Sequence, residues 1–192
     1  MAHEGRRLIL VRHSLPEFVT GMPASQWHLS AEGRRRCRRL AERLAAHDLA
    51  VIVTSKEPKA IETGQILAEM LGVGLQVASG LHEQERRVVT DMGRQEQFRA
   101  QVVRFFERPD ELVMGYETAE QAHTRFHAAV AGVVEQHPTT NLAIVSHGTV
   151  ITLLIAHANH LDPVLLWQSL GLPAFAALSL PDLRLLNLAE NV

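Results

Sequence analysis

Short apolar runs recur along this chain at residues 7–12, 49–54, 75–79, 141–146 and 175–180, with a weaker one at 183–188. Runs this short, rich in aliphatic and β-branched residues, read as strands buried on both faces. The segments between them carry helical spacing. Ser30 can cap a helix whose apolar stripe is Cys37, Leu40, Ala41, Leu44 and Ala45. A second helix is expected from about Lys59 to Leu71, stopped by Gly72, a third around Phe98, Val102, Phe105 and Phe106, and a fourth over 117–136. Strands that alternate with helices predict an α/β fold, a three-layer sandwich whose mainly parallel central sheet has helices on both faces. The last two runs meet at Pro181-Asp182 and predict a hairpin that adds one antiparallel edge strand. The 192 residues suit a single domain over 1–192, with no internal repeat.

Composition narrows the class. A formal net charge of −2 argues against nucleic acid as a partner, and the arginine run of residues 34–39 reads as a solvated helix face. The single cysteine, Cys37, allows no intrachain disulfide and no cysteine cluster for a metal, and its place in the apolar stripe makes it core. The opening MAHEGRR has no apolar targeting region, and no stretch is apolar for the length a bilayer requires. A cytoplasmic protein with no membrane partner is expected.

The polar ends of the strands carry the chemistry. The first reads LILVRHSLPE, residues 8–17, and breaks off at Arg12 and His13. The fourth reads NLAIVSHGTVI, residues 141–151, and ends in Ser146, His147 and Gly148. Gly148 allows close backbone approach, and the helix beginning after it offers N–H groups that can hold an anion. The second strand leads into VIVTSKEPKAIET, with Lys59 four residues beyond Ser55. In open parallel sheets ligands gather at the carboxyl ends of strands. Arg12, His13, Lys59 and His147 therefore meet at one rim, a combination suited to a phosphate dianion.

These stretches together resemble the histidine phosphatase superfamily, the phosphoglycerate mutase-like enzymes, over nearly the whole chain. LVRHS matches its strand ending in Arg-His, with Ser14 in place of the usual glycine. WHLSAEGRRRCRRLAERL, residues 27–44, is similar to its Leu-(Ser/Thr)-x-x-Gly segment. TSKEPKAIETGQILAE, residues 54–69, is similar to its Ser-x-x-x-Arg-Ala-x-x-Thr segment at Ser55, Ala60 and Thr63, with Lys59 standing for the arginine. LHE at 81–83 matches the Leu-x-Glu that carries the general acid, and SHG at 146–148 the second histidine. The family's Trp-x-Gly cluster after the acid is replaced by QERRVVTDMGR.

The resemblance implies a metal-independent phosphomonoester hydrolase without cofactor, acting on a small phosphorylated substrate. His13 is the implied nucleophile and Glu83 the general acid, chosen over Glu85 on the Leu-x-Glu match. Arg12, His147, Lys59, Ser14 and Gly148 are the implied phosphoryl-binding set, with Arg86, Arg87 or Arg94 able to supply the fork that Lys59 lacks. Arg12 and Lys59 are expected to lower the pKa of His13 and favour its neutral, attacking form. Ser55 and Thr63 are expected to cap and pack. Glu120, His123 and His127 have helical spacing but no evident third metal ligand, so they read as surface residues, as do His157 and His160. The alternatives are a phosphoglycerate mutase, and a phosphate-ligand binding protein with weak or no turnover. Oligomeric state is not legible.

Overall fold

The computed structural model describes residues 5–86 and 95–191; Arg87 and Arg94 lie outside the described residues. The elements in chain order are β1 (Arg7–Arg12), α1 (Ala31–Leu44), β2 (Leu49–Thr54), α2 (Pro58–Leu71), β3 (Gly74–Val77), α3 (Gln95–Glu107), α4 (Ala119–Gln136), β4 (Asn141–Ser146), α5 (Gly148–Asn159), α6 (Pro163–Ser169), β5 (Ala174–Ser179) and β6 (Leu185–Ala189). The described strands form one sheet in the order β3-β2-β4-β1-β5-β6. β3, β2, β4 and β1 pair in parallel, whereas β5 runs antiparallel to both β1 and β6. The fold is thus the expected α/β sandwich with a mostly parallel sheet, and the closing hairpin gives it an antiparallel edge pair.

Two cores follow from the alternation of side chains along the strands. Leu8, Leu10, Val51, Val53, Leu142 and Ile144 face Phe105 of α3, Phe126 of α4, Leu154 of α5 and Leu166 of α6. Ile9, Val11, Ile52, Ala143 and Val145 face Leu40 and Leu44 of α1 and Leu67 of α2. The central strands are therefore apolar on both faces, and only their ends are free to be polar.

The local signals behave largely as read. The Ser30 hydroxyl accepts the Gly33 N–H at 3.0 Å and caps α1, whose Cys37, Leu40, Ala41 and Leu44 are buried. Ala45 differs from the expected stripe. It lies in a short 3₁₀ turn, Ala45–His47, and is exposed, because the helical phase changes where α1 tightens. Gly72 ends α2 in the left-handed conformation with φ of 68°. Thr118 and Gln121 form a reciprocal capping box at the start of α4. Arg34, Arg35, Arg38 and Arg39 are exposed on α1, with Arg35 paired to Glu32 and Arg34 to Glu62, so the basic run is a solvated, partly neutralised face. No described helix is long and apolar enough to cross a membrane.

One packing contact leads directly to the site. A side chain at Gly33 would put its Cβ 2.1 Å from the Leu15 carbonyl oxygen. That glycine lets α1 press against the turn after β1, where the Leu15 carbonyl also accepts the Ser30 N–H and Oγ–H, each at 3.1 Å.

Candidate active site

The strand order places β4 between β1 and β2, so their carboxyl ends are adjacent. Arg12 lies opposite Ser146, and the His13 N–H donates to the Ser146 carbonyl at 2.9 Å. The two histidines that follow β1 and β4 are consequently neighbours, with ring centroids 5.1 Å apart at an interplanar angle of 61°. Both are buried.

His13 Nδ1 lies 2.8 Å from the Ser14 carbonyl oxygen, a contact in which the nitrogen carries the proton and donates. This fixes the tautomer and leaves Nε2 as the basic nitrogen. Burial, then His147 and Lys59, lower the pKa of His13 well below 6.5, with a smaller effect from Arg12. The ring is therefore neutral at neutral pH. His147 is lowered in the same direction, first by burial and then by Lys59. Its Nε2 lies 2.7 Å from Ser55 Oγ and 3.4 Å from Glu57 Oε1. Its buried Nδ1 has no hydrogen-bond partner among the described residues.

Arg12 donates through Nη1 to the Leu170 carbonyl, and its buried Nε likewise has no partner among the described residues. Burial lowers its pKa to about 10, with Glu83 opposing, so it remains a cation. A Cβ at Gly148 would come within 2.9 Å of the Arg12 guanidinium carbon, so this glycine admits the arginine against the start of α5. Ser14 is differently engaged from Arg12. Its N–H donates to Thr63 Oγ1 at 3.1 Å and its hydroxyl to the Gly33 carbonyl at 2.8 Å, which commits both donors to the fold.

Glu83 follows β3 and faces the start of α5. One carboxylate oxygen accepts the Gln84 N–H at 2.9 Å. The other accepts the Thr149 N–H at 3.2 Å and lies 3.2 Å from Arg86 Nη2. Burial alone would raise this carboxyl, but Arg86, His147 and the two N–H groups outweigh it and bring it to about 2. Glu83 is thus an anion in the resting site. Its loop is clamped by α4 and the turn before it. Arg125 donates to the carbonyls of Gly80 and His82 at 2.7 and 3.0 Å, and Glu117 accepts the Glu85 N–H at 2.9 Å while pairing with Arg125 at 2.6 Å. The Glu85 carboxylate is half exposed and pairs with His82 at 3.3 Å.

The residue that sequence reasoning missed is Glu57. It is buried, it pairs with the buried Lys59 ammonium, and its Oε1 accepts the Glu83 backbone N–H at 3.0 Å. Lys59 also donates to the Ala24 carbonyl at 2.6 Å. The expected bare point charge is therefore tethered on two sides. A carboxylate two residues before the lysine, beside the proline that opens α2, was the available signal. Ser55 does more than pack, since it hydrogen-bonds His147, whereas Thr63 packs and bridges Ser14 to the Lys59 carbonyl.

Among the described residues no group of three or more His, Cys, Asp or Glu side chains is arranged to hold a metal ion. His123, His127 and His157 stack across α4 and α5, with His123 partly buried and the other two exposed, and His160 is exposed in the left-handed residue that ends α5.

The arrangement is two histidines, a flanking guanidinium and a carboxylate at the rim of a parallel sheet. The family model described as the histidine phosphatase superfamily (branch 1) matches residues 8–180. The chain is 27% identical over 181 residues to a probable phosphoglycerate mutase GpmB of Klebsiella pneumoniae, covering 88% of this chain and 77% of that one. Among solved structures, a mycobacterial glucosyl-3-phosphoglycerate phosphatase superposes with a TM-score of 0.74 at 21% identity, covering 98% of this chain and 100% of that one. An alpha-ribazole phosphatase from Shigella flexneri superposes with a TM-score of 0.70 at 17% identity, covering 96% of each chain. At these identities the structural likenesses speak for the fold. The family match, which spans most of the chain, carries the assignment: this chain belongs to the histidine phosphatase superfamily.

Proposed function

We propose that the protein is a phosphomonoester hydrolase that works through a phosphohistidine on His13. The observation that carries the reading is the state of the His13 ring: neutral, with Nδ1 held by the Ser14 carbonyl and Nε2 left as the nucleophile, beside the buried Arg12 Nε–H and the buried His147 Nδ1, neither of which has a partner among the described residues. A buried donor without a partner is costly, and a phosphoryl oxygen satisfies Arg12 Nε–H, and also His147 Nδ1 in the tautomer in which Ser55 donates to Nε2 and Nδ1 carries the proton.

In the first step His13 Nε2 forms a bond to phosphorus while the bond from phosphorus to the ester oxygen breaks. Arg12, Lys59 and His147 stabilise the charge on the phosphoryl oxygens, and a proton on Glu83 passes to the leaving alkoxide. In the second step Glu83 takes a proton from water as its oxygen attacks phosphorus and the bond to Nε2 breaks; that proton then passes to the inorganic phosphate, which departs as the monoanion and leaves Glu83 ionised. Because Glu83 is an anion at rest, the proton arrives with the substrate. A phosphomonoester monoanion, whose second pKa is about 6, brings it to the carboxylate as the two are pressed together. Ser14 and Gly148 act by holding His13 and admitting Arg12.

Lys59 and Glu57 act as a pair in this reading. Lys59→Ala removes a charge from the phosphate pocket and leaves Glu57 buried without its cation. A charge-assisted contact is worth about 1.5–3 kcal/mol, so kcat/KM is expected to fall roughly ten- to a hundredfold. Adding Glu57→Gln to Lys59→Ala should recover part of the loss, and Lys59→Arg should be tolerated. Wild-type kcat/KM in Lys59→Ala would place the lysine outside the pocket.

The direct test is release of inorganic phosphate from sugar phosphates, nucleotides, phosphoglycerates and phosphopeptides. The names of the sequence relatives favour a second reading, a phosphoglycerate mutase. An isomerised phosphoglycerate without released phosphate would support it, and binding without either product would support a phosphate-ligand binding protein.

A further inference from the structure

The proposed chemistry gives Glu57 no step, although its carboxylate touches three members of the site. One oxygen pairs with the Lys59 ammonium. The other accepts the Glu83 N–H at 3.0 Å and lies 3.4 Å from His147 Nε2. Glu57 and Lys59 are 8% and 5% exposed, so water and salt screen the pair little. The backbone around the carboxylate is held as well. The Glu57 N–H donates to Ser55 Oγ at 3.3 Å, and its carbonyl accepts the N–H groups of Ala60 and Ile61 at 2.9 and 3.0 Å as α2 opens.

A phosphate pocket gains nothing from direct contact with a buried carboxylate, because two anions repel. The carboxylate serves the pocket only through the lysine. An ammonium has three N–H donors. In Lys59 one meets Glu57 and a second the Ala24 carbonyl at 2.6 Å, which leaves a third for a phosphoryl oxygen. The pairing fixes a long, flexible chain in one geometry and weakens its field at the phosphate, so the cation orients the phosphoryl group without gripping it. An unpaired ammonium in the same place would hold the inorganic phosphate formed in the second step more firmly and delay its departure.

We propose that Glu57 is a positioning residue that acts through Lys59 to keep phosphate binding weak: it holds the ammonium in place, lowers its pull on the product anion and so speeds the release of inorganic phosphate. The release step rests on the phosphomonoesterase reading above, whereas the effect on phosphate affinity does not require turnover.

Titration calorimetry with inorganic phosphate, together with steady-state kinetics on an aryl phosphate, tests this. Glu57→Gln keeps the shape of the side chain and an oxygen for the Glu83 N–H but removes the charge. Its Kd for phosphate should fall about tenfold, the lower end of what one charge-assisted contact changes. KM and kcat for the aryl phosphate should fall together while kcat/KM is kept or raised, because product release slows and the first step does not. Glu57→Asp, which restores the charge, should bring Kd back toward wild type. A carboxylate with a structural part alone predicts the opposite sign, weaker phosphate binding and a higher KM in Glu57→Gln, and that result or an unchanged Kd would overturn the proposal. Should Glu57→Gln alone not fold, the comparison is made between Lys59→Ala and Lys59→Ala combined with Glu57→Gln. There the lone carboxylate acts by repulsion, so the double variant should bind phosphate more tightly than the single one, and equal or weaker binding would overturn the proposal. If wild type releases phosphate from no ester, an aryl phosphate included, the hydrolase reading falls, and the change in Kd still decides whether Glu57 sets phosphate affinity.

Discussion

His13→Ala is expected to lower kcat/KM by about 10⁴-fold or more, the scale on which enzymes lose activity when the nucleophile is removed. The reason is positional. His13 is fixed at the end of β1 by its own N–H to Ser146 and by Nδ1 to the Ser14 carbonyl, and the neighbouring His147 is tied instead to Ser55 through Nε2. No second neutral imidazole among the described residues is held the same way, so little can substitute for it. Arg12 and His147 remain in the variant, so inorganic phosphate should still bind. Retained phosphate binding with lost turnover separates loss of the nucleophile from collapse of the pocket. The pH dependence carries the same sign as the geometry. Burial, His147 and Lys59 push the His13 pKa well below 6.5, so its protonation does not limit activity between pH 6 and 8.

Glu83→Gln is expected to lower kcat for an alkyl ester about 10²- to 10³-fold and for an aryl phosphate by less than about tenfold, since a phenolate leaves with little help from a proton. Glu85→Gln should change neither greatly, because the Glu85 carboxylate is half exposed and pairs with His82 instead of facing α5. If the leaving-group dependence follows Glu85 and not Glu83, the roles exchange. The charge state of Glu83 adds a pH signature. With the resting carboxyl at about 2, held down by Arg86, His147 and two N–H groups against its burial, the enzyme does not carry the proton itself at neutral pH. For alkyl esters kcat/KM should therefore decline above about pH 6 as the substrate loses its second proton. A flat profile to pH 8 would contradict delivery of the proton by the substrate monoanion.

Much of this site was legible because parallel strands bring their carboxyl ends to one rim, so two runs that end in histidine must meet there if the strands are adjacent. The order β2-β4-β1 supplies that adjacency, and the Leu-x-Glu after β3 falls on the same side. The tie from His13 Nδ1 to a backbone carbonyl follows from chemistry alone, because a neutral nucleophilic imidazole needs its other nitrogen occupied. What stayed hidden were contacts between side chains close in space but weakly marked in sequence. Glu57 sits in a turn that reads as a helix start, and only its burial against Lys59 and the Glu83 N–H reveals its part. The clamp of Glu117 and Arg125 on the Glu83 loop joins residues on α4 and before it to a segment more than thirty positions upstream, a link that no local pattern encodes. Helix α6, at Pro163–Ser169, is two turns long and too short for its periodicity to stand out, although Asp162 caps it and Pro163 opens it.

The proposed chemistry turns on one covalent bond, from phosphorus to His13 Nε2. Rapid quenching of the wild-type enzyme during turnover of a phosphomonoester, followed by digestion under alkaline conditions and mass spectrometry, reads that bond directly. The expected result is one acid-labile phosphate on the peptide that contains His13, absent in His13→Ala. Phosphate trapped on Ser14, Ser55 or His147, or turnover with no trapped phosphate in a variant whose second step is slowed, would contradict it.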